Sequence, residues 1–307
     1  MRKGAVVVLV AAIFLHRGTE CPVASASAQS KAPRPDHIVI VIEENKDYGQ
    51  IVGSPIAPYL NSLIAQGALL THSYALHHPS QPNYLEFFSG DRQGVFDDTC
   101  QPQFSAPNLA SNLLKNNLRF AGYAEDLPAN HQVCTQGLYA KKHCPWLDFT
   151  DVPDSVSLDA SDFPIDDAGF TNLPTVALVI PNLMHDMHFV PSVSKTIAQQ
   201  VRNGDAWLKR KFEGYVKWAK THNSLFIVTW DEDNATYMLP KNETQQITTT
   251  PPRNHIATIL VGAMIKPGAT SSQRYTHYDL LRTIEDMYGL PLLGGSQHAK
   301  DIADIWK

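Results

Sequence analysis

The sequence predicts a three-layer α/β/α sandwich built on a mostly parallel central sheet. Continuous β-branched and apolar runs occur at 37–42, 176–180, 224–229 and 256–261. Such runs fit strands buried on both faces. Helical patterns alternate with them, as in folds that pack helices on both sides of a sheet. Three of the runs stop abruptly at polar clusters: Glu43-Glu44-Asn45, the stretch from Asn182 to His188, and Asp231-Glu232-Asp233-Asn234. Open α/β sheets bind their ligands at the carboxyl ends of strands, where these clusters fall.

Taken in order, Arg2 and Lys3 precede an apolar run at 5–15 and small residues at 24–28, the pattern of an export signal cleaved near Ala28. Residues 29–307 then read as a single domain. A polar lead-in at 29–36 feeds the first strand at 37–42. A helix is expected at 57–65, with Gly67 just past its end. A second is expected at 108–116, with Asn108 as its N-cap. A short strand follows at 120–123. Residues 125–170 are rich in Asp, Pro, Ser and Gly, and read as a loop-rich excursion at the sheet edge. The strand at 176–180 precedes an amphipathic helix at 205–220. After the strand at 224–229 comes a polar Thr/Pro loop at 240–253, then the strand at 256–261. The final helix, 278–288, has Thr276 as N-cap and Gly289 at its end.

Composition excludes several classes. The 307 residues are 43% hydrophobic, enough for a large core, so a disordered chain is ruled out. Lys and Arg number 25 against 30 Asp and Glu, a net charge of −5. There is no basic excess for nucleic acid to meet. No segment after the signal is apolar long enough for stable membrane insertion. Beyond the signal, Cys100, Cys134 and Cys144 allow one disulfide in an oxidising compartment and leave one thiol; spacing does not choose the pair. The G-x-S-x-G elbow, the P-loop, G-x-G-x-x-G and H-E-x-x-H are all absent, which disfavours the usual esterase triad, nucleotide folds and zincin proteases.

Four clusters can carry chemistry. Carboxylate and amide oxygens at Glu43-Glu44-Asn45 are hard ligands for a divalent cation, although alone they would read as a solvated turn. In His77-His78-Pro79-Ser80-Gln81-Pro82-Asn83-Tyr84 two prolines pin the backbone around Ser80. A serine hydroxyl attacks only when a base or a metal activates it. His185, Asp186 and His188 could bind phosphate, bind metal or move protons. Asp231 to Asn234 forms the fourth cluster, and His255, just before the last strand, joins the same edge.

The stretches Ile42-Glu43-Glu44-Asn45, His78-Pro79-Ser80-Gln81-Pro82-Asn83-Tyr84, Asp186-Met187-His188, Thr229-Trp230-Asp231-Glu232, Asn254-His255 and His277 to Thr283 run in one order across nearly the whole exported chain. In these the chain resembles the secreted phosphoesterase family of acid phosphatases and bacterial phospholipases C, within the alkaline-phosphatase-like superfamily. The resemblance implies a metal ion held by Glu44, Asn45, Ser80, Asp231 and Glu232, with Ser80 also the nucleophile. It implies that His185, Asp186 and Asn83 bind substrate, with His78 a weaker pocket candidate, and that His188 or His255 protonates the leaving oxygen. His185 departs from the family, whose members often carry Asn there.

The expected activity is hydrolysis of phosphate monoesters through a phosphoserine, favoured at mildly acidic pH by cationic histidines. The cofactor is expected to be a divalent ion, with Mg, Ca or Mn fitting the oxygen ligands and Zn admitted by the nearby histidines. The partner is a small phosphorylated substrate, and the location is secreted or periplasmic. Three alternatives stand beside it: a phospholipase C cutting lipid phosphodiesters, a catalytically silent binding protein, and a metal-free serine esterase.

Overall fold

The computed structural model describes residues 1, 4, 32–191, 193–234 and 254–307. The expected export segment, but for residues 1 and 4, and the 240–253 loop lie outside the described residues. The strands are β1 (His37–Glu43), β2 (Ala68–Tyr74), β3 (Phe120–Ala124), β4 (Thr135–Gln136), β5 (Tyr139–Ala140), β6 (Ser157–Asp159), β7 (Val176–Ile180), β8 (Ser224–Trp230), β9 (His255–Gly262) and β10 (Ala269–Thr276). The helices are α1 (Tyr48–Ile51), α2 (Pro58–Gln66), α3 (Ser80–Ser89), α4 (Leu109–Lys115), α5 (Asp167–Phe170), α6 (Ile197–Ala219) and α7 (His277–Tyr288).

Among the described residues, eight strands form one sheet in the order β10-β2-β9-β8-β1-β7-β3-β6. β9 pairs antiparallel with both β2 and β8; the other pairings are parallel. The mostly parallel sandwich expected from the sequence is therefore the observed fold. Alternation along β1 makes the layers. Ile38, Ile40 and Ile42 pack into a core with α3, α4 and α7, while Val39 and Val41 pack into a second core with α2 and α6. Because β9 is reversed, its first residue, His255, lies beside the last residue of β2, Tyr74, at the rim where the parallel strands end. Three buried hydroxyls lie in a row across this part of the sheet. Ser73 Oγ is 2.7 Å from Thr258 Oγ1, which is 2.8 Å from Thr229 Oγ1.

The excursion returns to the sheet as β6, the edge strand on β3. Trp146 fixes it there. A Cβ on Gly122 of β3 would lie 2.2 Å from the Trp146 ring, so only glycine admits the indole at this point. Cys100 and Cys134 form the disulfide, and Cys144 is the buried free thiol.

Four elements differ from the sequence expectation. The long helix starts at Ile197, well before 205, because Thr196 caps it by accepting from Gln199 N at 3.2 Å. The run around Ser80 is the start of α3 and not a loop. Pro82 sits in its first turn, where a missing N–H costs nothing. β2 and β10 lack the β-branched signal, β2 because its apolar start at Ala68-Leu69-Leu70 gives way to Thr71-His72-Ser73, β10 because it is a largely exposed, polar edge. Thr276 and Gly289 bound α7 as expected, Gly289 with a φ of 65°. No helix among the described residues is long and apolar enough to cross a membrane.

Candidate active site

Glu44 is the hub of the site. It follows β1 directly, and alternation turns it toward the α3 side of the sheet. Its carboxylate is fully buried, with four hydrogen-bond partners and a histidine in ion-pair contact. Tyr84 Oη donates to Oε1 at 2.8 Å, and His143 Nε2 lies 2.9 Å from the same oxygen. Ser80 Oγ donates to Oε2 at 3.0 Å, His188 Nδ1 lies at 3.3 Å, and Asn45 Nδ2 donates there as well. Ser80 is the first residue of the ten-residue helix α3. Its hydroxyl therefore sits at the positive end of a helix dipole, a natural seat for a phosphoryl group. Ser80 Oγ is also 3.3 Å from Glu232 Oε1.

Backbone bonds bring the strand ends together. Glu44 N donates to Asp186 O at 2.7 Å, Asp231 N to Glu43 O at 2.9 Å, and Lys46 N to Glu232 O at 3.2 Å. Asn45 adopts a left-handed φ of 55°, which Asn tolerates well, and its N–H donates to Asp231 Oδ1 at 3.0 Å. Lys46 is buried and bonds the carbonyls of Asn45 and Met187 at 2.7 and 2.8 Å, tying the end of β1 to the loop after β7. Burial lowers its pKa to about 8.

The charges are unevenly balanced. Burial, then the charges of Glu44 and Glu232, push Asp231 well above the carboxylate range. Its Oδ2 is buried with no hydrogen-bond partner. Burial likewise raises Glu232, against the opposing pull of His78. For Glu44, burial would raise the pKa, but His143 and His188 outweigh it and hold the group well below its usual range. His143 is the converse. Burial would lower it, yet Glu44 and Asp186 raise it to about 9. His78 is likewise raised to about 9 against burial by Asp233 and Glu232, its Nδ1 lying 2.6 Å from Glu232 Oε2. Lys142 bonds Asp98 at 2.6 Å, and Asp98 in turn accepts from Gln81 N at 3.0 Å.

The structure therefore gathers Glu44, Asn45, Ser80, Asp231, Glu232, Asp186 and His188. His188 N donates to Asp186 Oδ1 at 2.7 Å, which fixes the loop carrying both. Three expected substrate or proton-transfer residues lie elsewhere. Asn83 spends its amide on backbone: Oδ1 accepts from Leu76 N and His77 N, and Nδ2 donates to the carbonyls of His77 and Pro79. It shapes the approach to Ser80 and, being buried, offers nothing to a substrate. His255 is stacked on Tyr48 and Tyr74, its Nε2 faces Thr71 O at 2.9 Å, and burial lowers its pKa. It is on the expected rim but not beside Ser80. His185 turns away to Glu125, 2.9 Å from Oε2, and lines a separate cavity of about 380 Å³ with Asp126, Trp207, Arg210 and Lys211.

Sequence reasoning missed Tyr84, His143, Lys46 and Lys142. Tyr84 stood inside a recognised run without a role. The signal for the others was slight: one lysine in an acidic turn, and a Lys141-Lys142-His143 run within the excursion.

As to metal, no group of three or more His, Cys, Asp or Glu among the described residues is gathered closely enough to hold an ion by itself. The oxygens of Glu44, Glu232, Ser80 and the unpartnered Asp231 Oδ2 nevertheless suit a hard cation in kind, and the repulsion among these carboxylates favours one.

Helix α6 sets the height of the loop after β7. A Cβ on Gly204 would meet Met187 Cγ at 2.5 Å and the His185 carbonyl oxygen at 2.9 Å. Met187 is itself buried with a left-handed φ of 74° and cannot yield easily. Gly204→Ala is expected to destabilise the protein by about 1–3 kcal/mol. It should also lower kcat/KM roughly tenfold or more by displacing Asp186 and His188. Thermal melting and steady-state kinetics on one preparation check both.

The profile of the Phosphoesterase family matches residues 54–291. A phosphatidylinositol-3-phosphatase of Mycobacterium tuberculosis is 43% identical over 281 residues, 91% of this chain and 85% of that protein. A phosphate-repressible acid phosphatase of Penicillium chrysogenum is 28% identical, over 88% of this chain and 64% of that protein. Among solved structures, a protein in the alkaline phosphatase superfamily from Vibrio parahaemolyticus superposes with a TM-score of 0.57 at 18% identity, covering 89% of this chain and 71% of the other. The C-terminal periplasmic domain of EcEptC from Escherichia coli, in complex with zinc, gives 0.55 at 11% identity, over 86% and 85%. These two likenesses bear on the fold.

Proposed function

The chain belongs to the phosphoesterase family and hydrolyses phosphoric esters, and from that premise we propose that it is a metal-dependent phosphomonoesterase working through a phosphoserine on Ser80. The observation that carries this is the Ser80 hydroxyl at the start of α3, bonded at once to Glu44 and Glu232. Glu232 Oε1, 3.3 Å from the hydroxyl oxygen, is the acceptor for its proton. Glu44, held ionised by His143 and His188, orients Oγ. The oxygen attacks phosphorus in line, the bond to the leaving oxygen breaks, and a phosphoserine forms. His188, at the rim of the cluster, protonates the departing oxygen; water then frees phosphate. His143, buried against Glu44 and Asp186, holds charge in place and touches no substrate.

Glu44, Asn45, Ser80, Asp231 and Glu232 would hold a divalent cation, which when bound polarises the phosphoryl oxygens and the Ser80 hydroxyl. Export to an oxidising compartment is supported by the Cys100–Cys134 bond. The mycobacterial relative, a phosphatidylinositol-3-phosphatase, favours a phosphate monoester carried on an inositol lipid. The test offers p-nitrophenyl phosphate, a short-chain soluble phosphatidylinositol 3-phosphate and lecithin, each with and without EDTA. Phosphate release from the first two, abolished by EDTA, is expected. Faster release of phosphocholine would make it a phosphodiesterase, and activity indifferent to EDTA would remove the metal.

A further inference from the structure

Six large apolar side chains are exposed among the described residues, and three of them follow His188 within nine positions: Phe189 (55%), Val193 (45%) and Ile197 (37%). This exposure is built in. Val190 bridges antiparallel to Ser194, whose own residue is fully buried. Ser194 Oγ donates to His188 O at 2.8 Å and accepts from Val190 N at 3.0 Å. Gln200 Nε2 donates to Ser194 O at 3.1 Å, and Thr196 caps α6. The turn is thus tied at its base to the proton-donating histidine and to a long helix. Ser194 points in while Phe189, Val193 and Ile197 point out, against the usual preference of a surface loop.

Charge identifies the occupant. The whole chain has more acidic than basic residues, yet from Met187 to Gly204 there is no Asp or Glu. Lys195 and Arg202 in the same stretch are exposed. Apolar side chains flanked by cations with no anion beside them match the boundary of an anionic bilayer. A protein partner would have no such need for missing acids.

We propose that Phe189, Val193 and Ile197, flanked by Lys195 and Arg202, form an interfacial edge that seats the enzyme on an anionic phospholipid surface. Ser80 then meets a phosphate monoester whose lipid stays in the leaflet. The edge deepens the reading of the substrate given above and rests on it. It lies at the headgroup level and does not span the membrane.

The test compares wild type with the triple variant Phe189→Ser, Val193→Ser, Ile197→Gln, and with Lys195→Glu/Arg202→Glu. Each is assayed for co-sedimentation with phosphatidylcholine vesicles, with and without phosphatidylserine. Hydrolysis is measured on vesicle-borne phosphatidylinositol 3-phosphate and on p-nitrophenyl phosphate. Removing this apolar area should cut vesicle binding and vesicle-borne turnover by about tenfold or more, with the soluble ester turned over within about twofold of wild type. The charge variant should lose only the gain that phosphatidylserine confers. Unchanged vesicle binding by the triple variant overturns the proposal. So does a parallel fall on both substrates, which would mark a packing role for the turn. A wild-type dimer in sedimentation that the triple variant dissolves would also overturn it, by showing the edge to be covered by a second copy. Failure of the underlying phosphomonoesterase reading looks different: wild type would bind vesicles yet release no phosphate from the soluble ester.

Discussion

Ser80→Ala is expected to lower kcat on a phosphate monoester by about 10⁴-fold or more, with the fold intact. The size of the effect follows from the reaction's two halves. Without Oγ there is no acceptor for the phosphoryl group, and Glu232 has no proton to take. Water entering the gap would lack the fixed direction that α3 gives the hydroxyl. The fold should survive because Glu44 Oε2 keeps Asn45 and His188 as donors. Mass spectrometry of acid-quenched wild type should find a phosphoryl group on Ser80. A variant retaining a tenth of wild-type activity would remove the nucleophile from the mechanism, whatever became of the phosphomonoesterase assignment.

Glu44→Gln is expected to reduce activity by about 10³-fold and to destabilise the protein by about 3–5 kcal/mol, the cost of leaving a buried charge unpaired. Both carboxylate oxygens are crowded with partners: Tyr84 and His143 on one, Ser80, Asn45 and His188 on the other. In either orientation the NH₂ of an amide faces a group that can only donate, the cationic His143 on one side and Asn45 Nδ2 on the other. The pH dependence has a definite sign. Glu44 has a lowered pKa in the folded state, so its contribution is present above about 4.5 and is lost as pH falls through the depressed value. His143 has a raised pKa, so its contribution is full below 6.5 and is lost as pH rises through about 9. The stability gap between wild type and Glu44→Gln should therefore hold between pH 5 and 6.5 and narrow toward pH 9. Denaturant titrations across that range measure it. A gap that widened with pH would show that the two groups are not an ion pair.

The parts of the fold legible in the sequence were those whose burial is uniform. β1, β7, β8 and β9 are covered on both faces and read as apolar runs, and the acidic clusters closing β1 and β8 stood out against them. α3 was hidden because proline in a first turn looks the same as proline in a loop. β10 was hidden because an edge strand can stay polar, and β2 because its short apolar start, Ala68-Leu69-Leu70, breaks off at Thr71-His72-Ser73. Among the site residues, Glu44, Asp231 and Glu232 were legible because strand ends point them at one rim, and Ser80 because two prolines pin the backbone around it. His143 was not, since it arrives from a distant excursion and is recruited by charge across space. His185 and His188 lie three positions apart in one loop, and only the backbone geometry around Met187 decides which of them faces Glu44.

The row of hydroxyls from Ser73 through Thr258 to Thr229 bears on how the sheet assembles. A strand running against its neighbours could slide by one position during folding and still bury aliphatic side chains on both faces, because β9 is almost uniformly apolar. Such a slip would swing Thr258 into the opposite, oily layer and strand its two former companions, at a cost of about 1–3 kcal/mol for each orphaned group. The alcohols thereby mark the native register and penalise any other alignment of β9 at the catalytic rim.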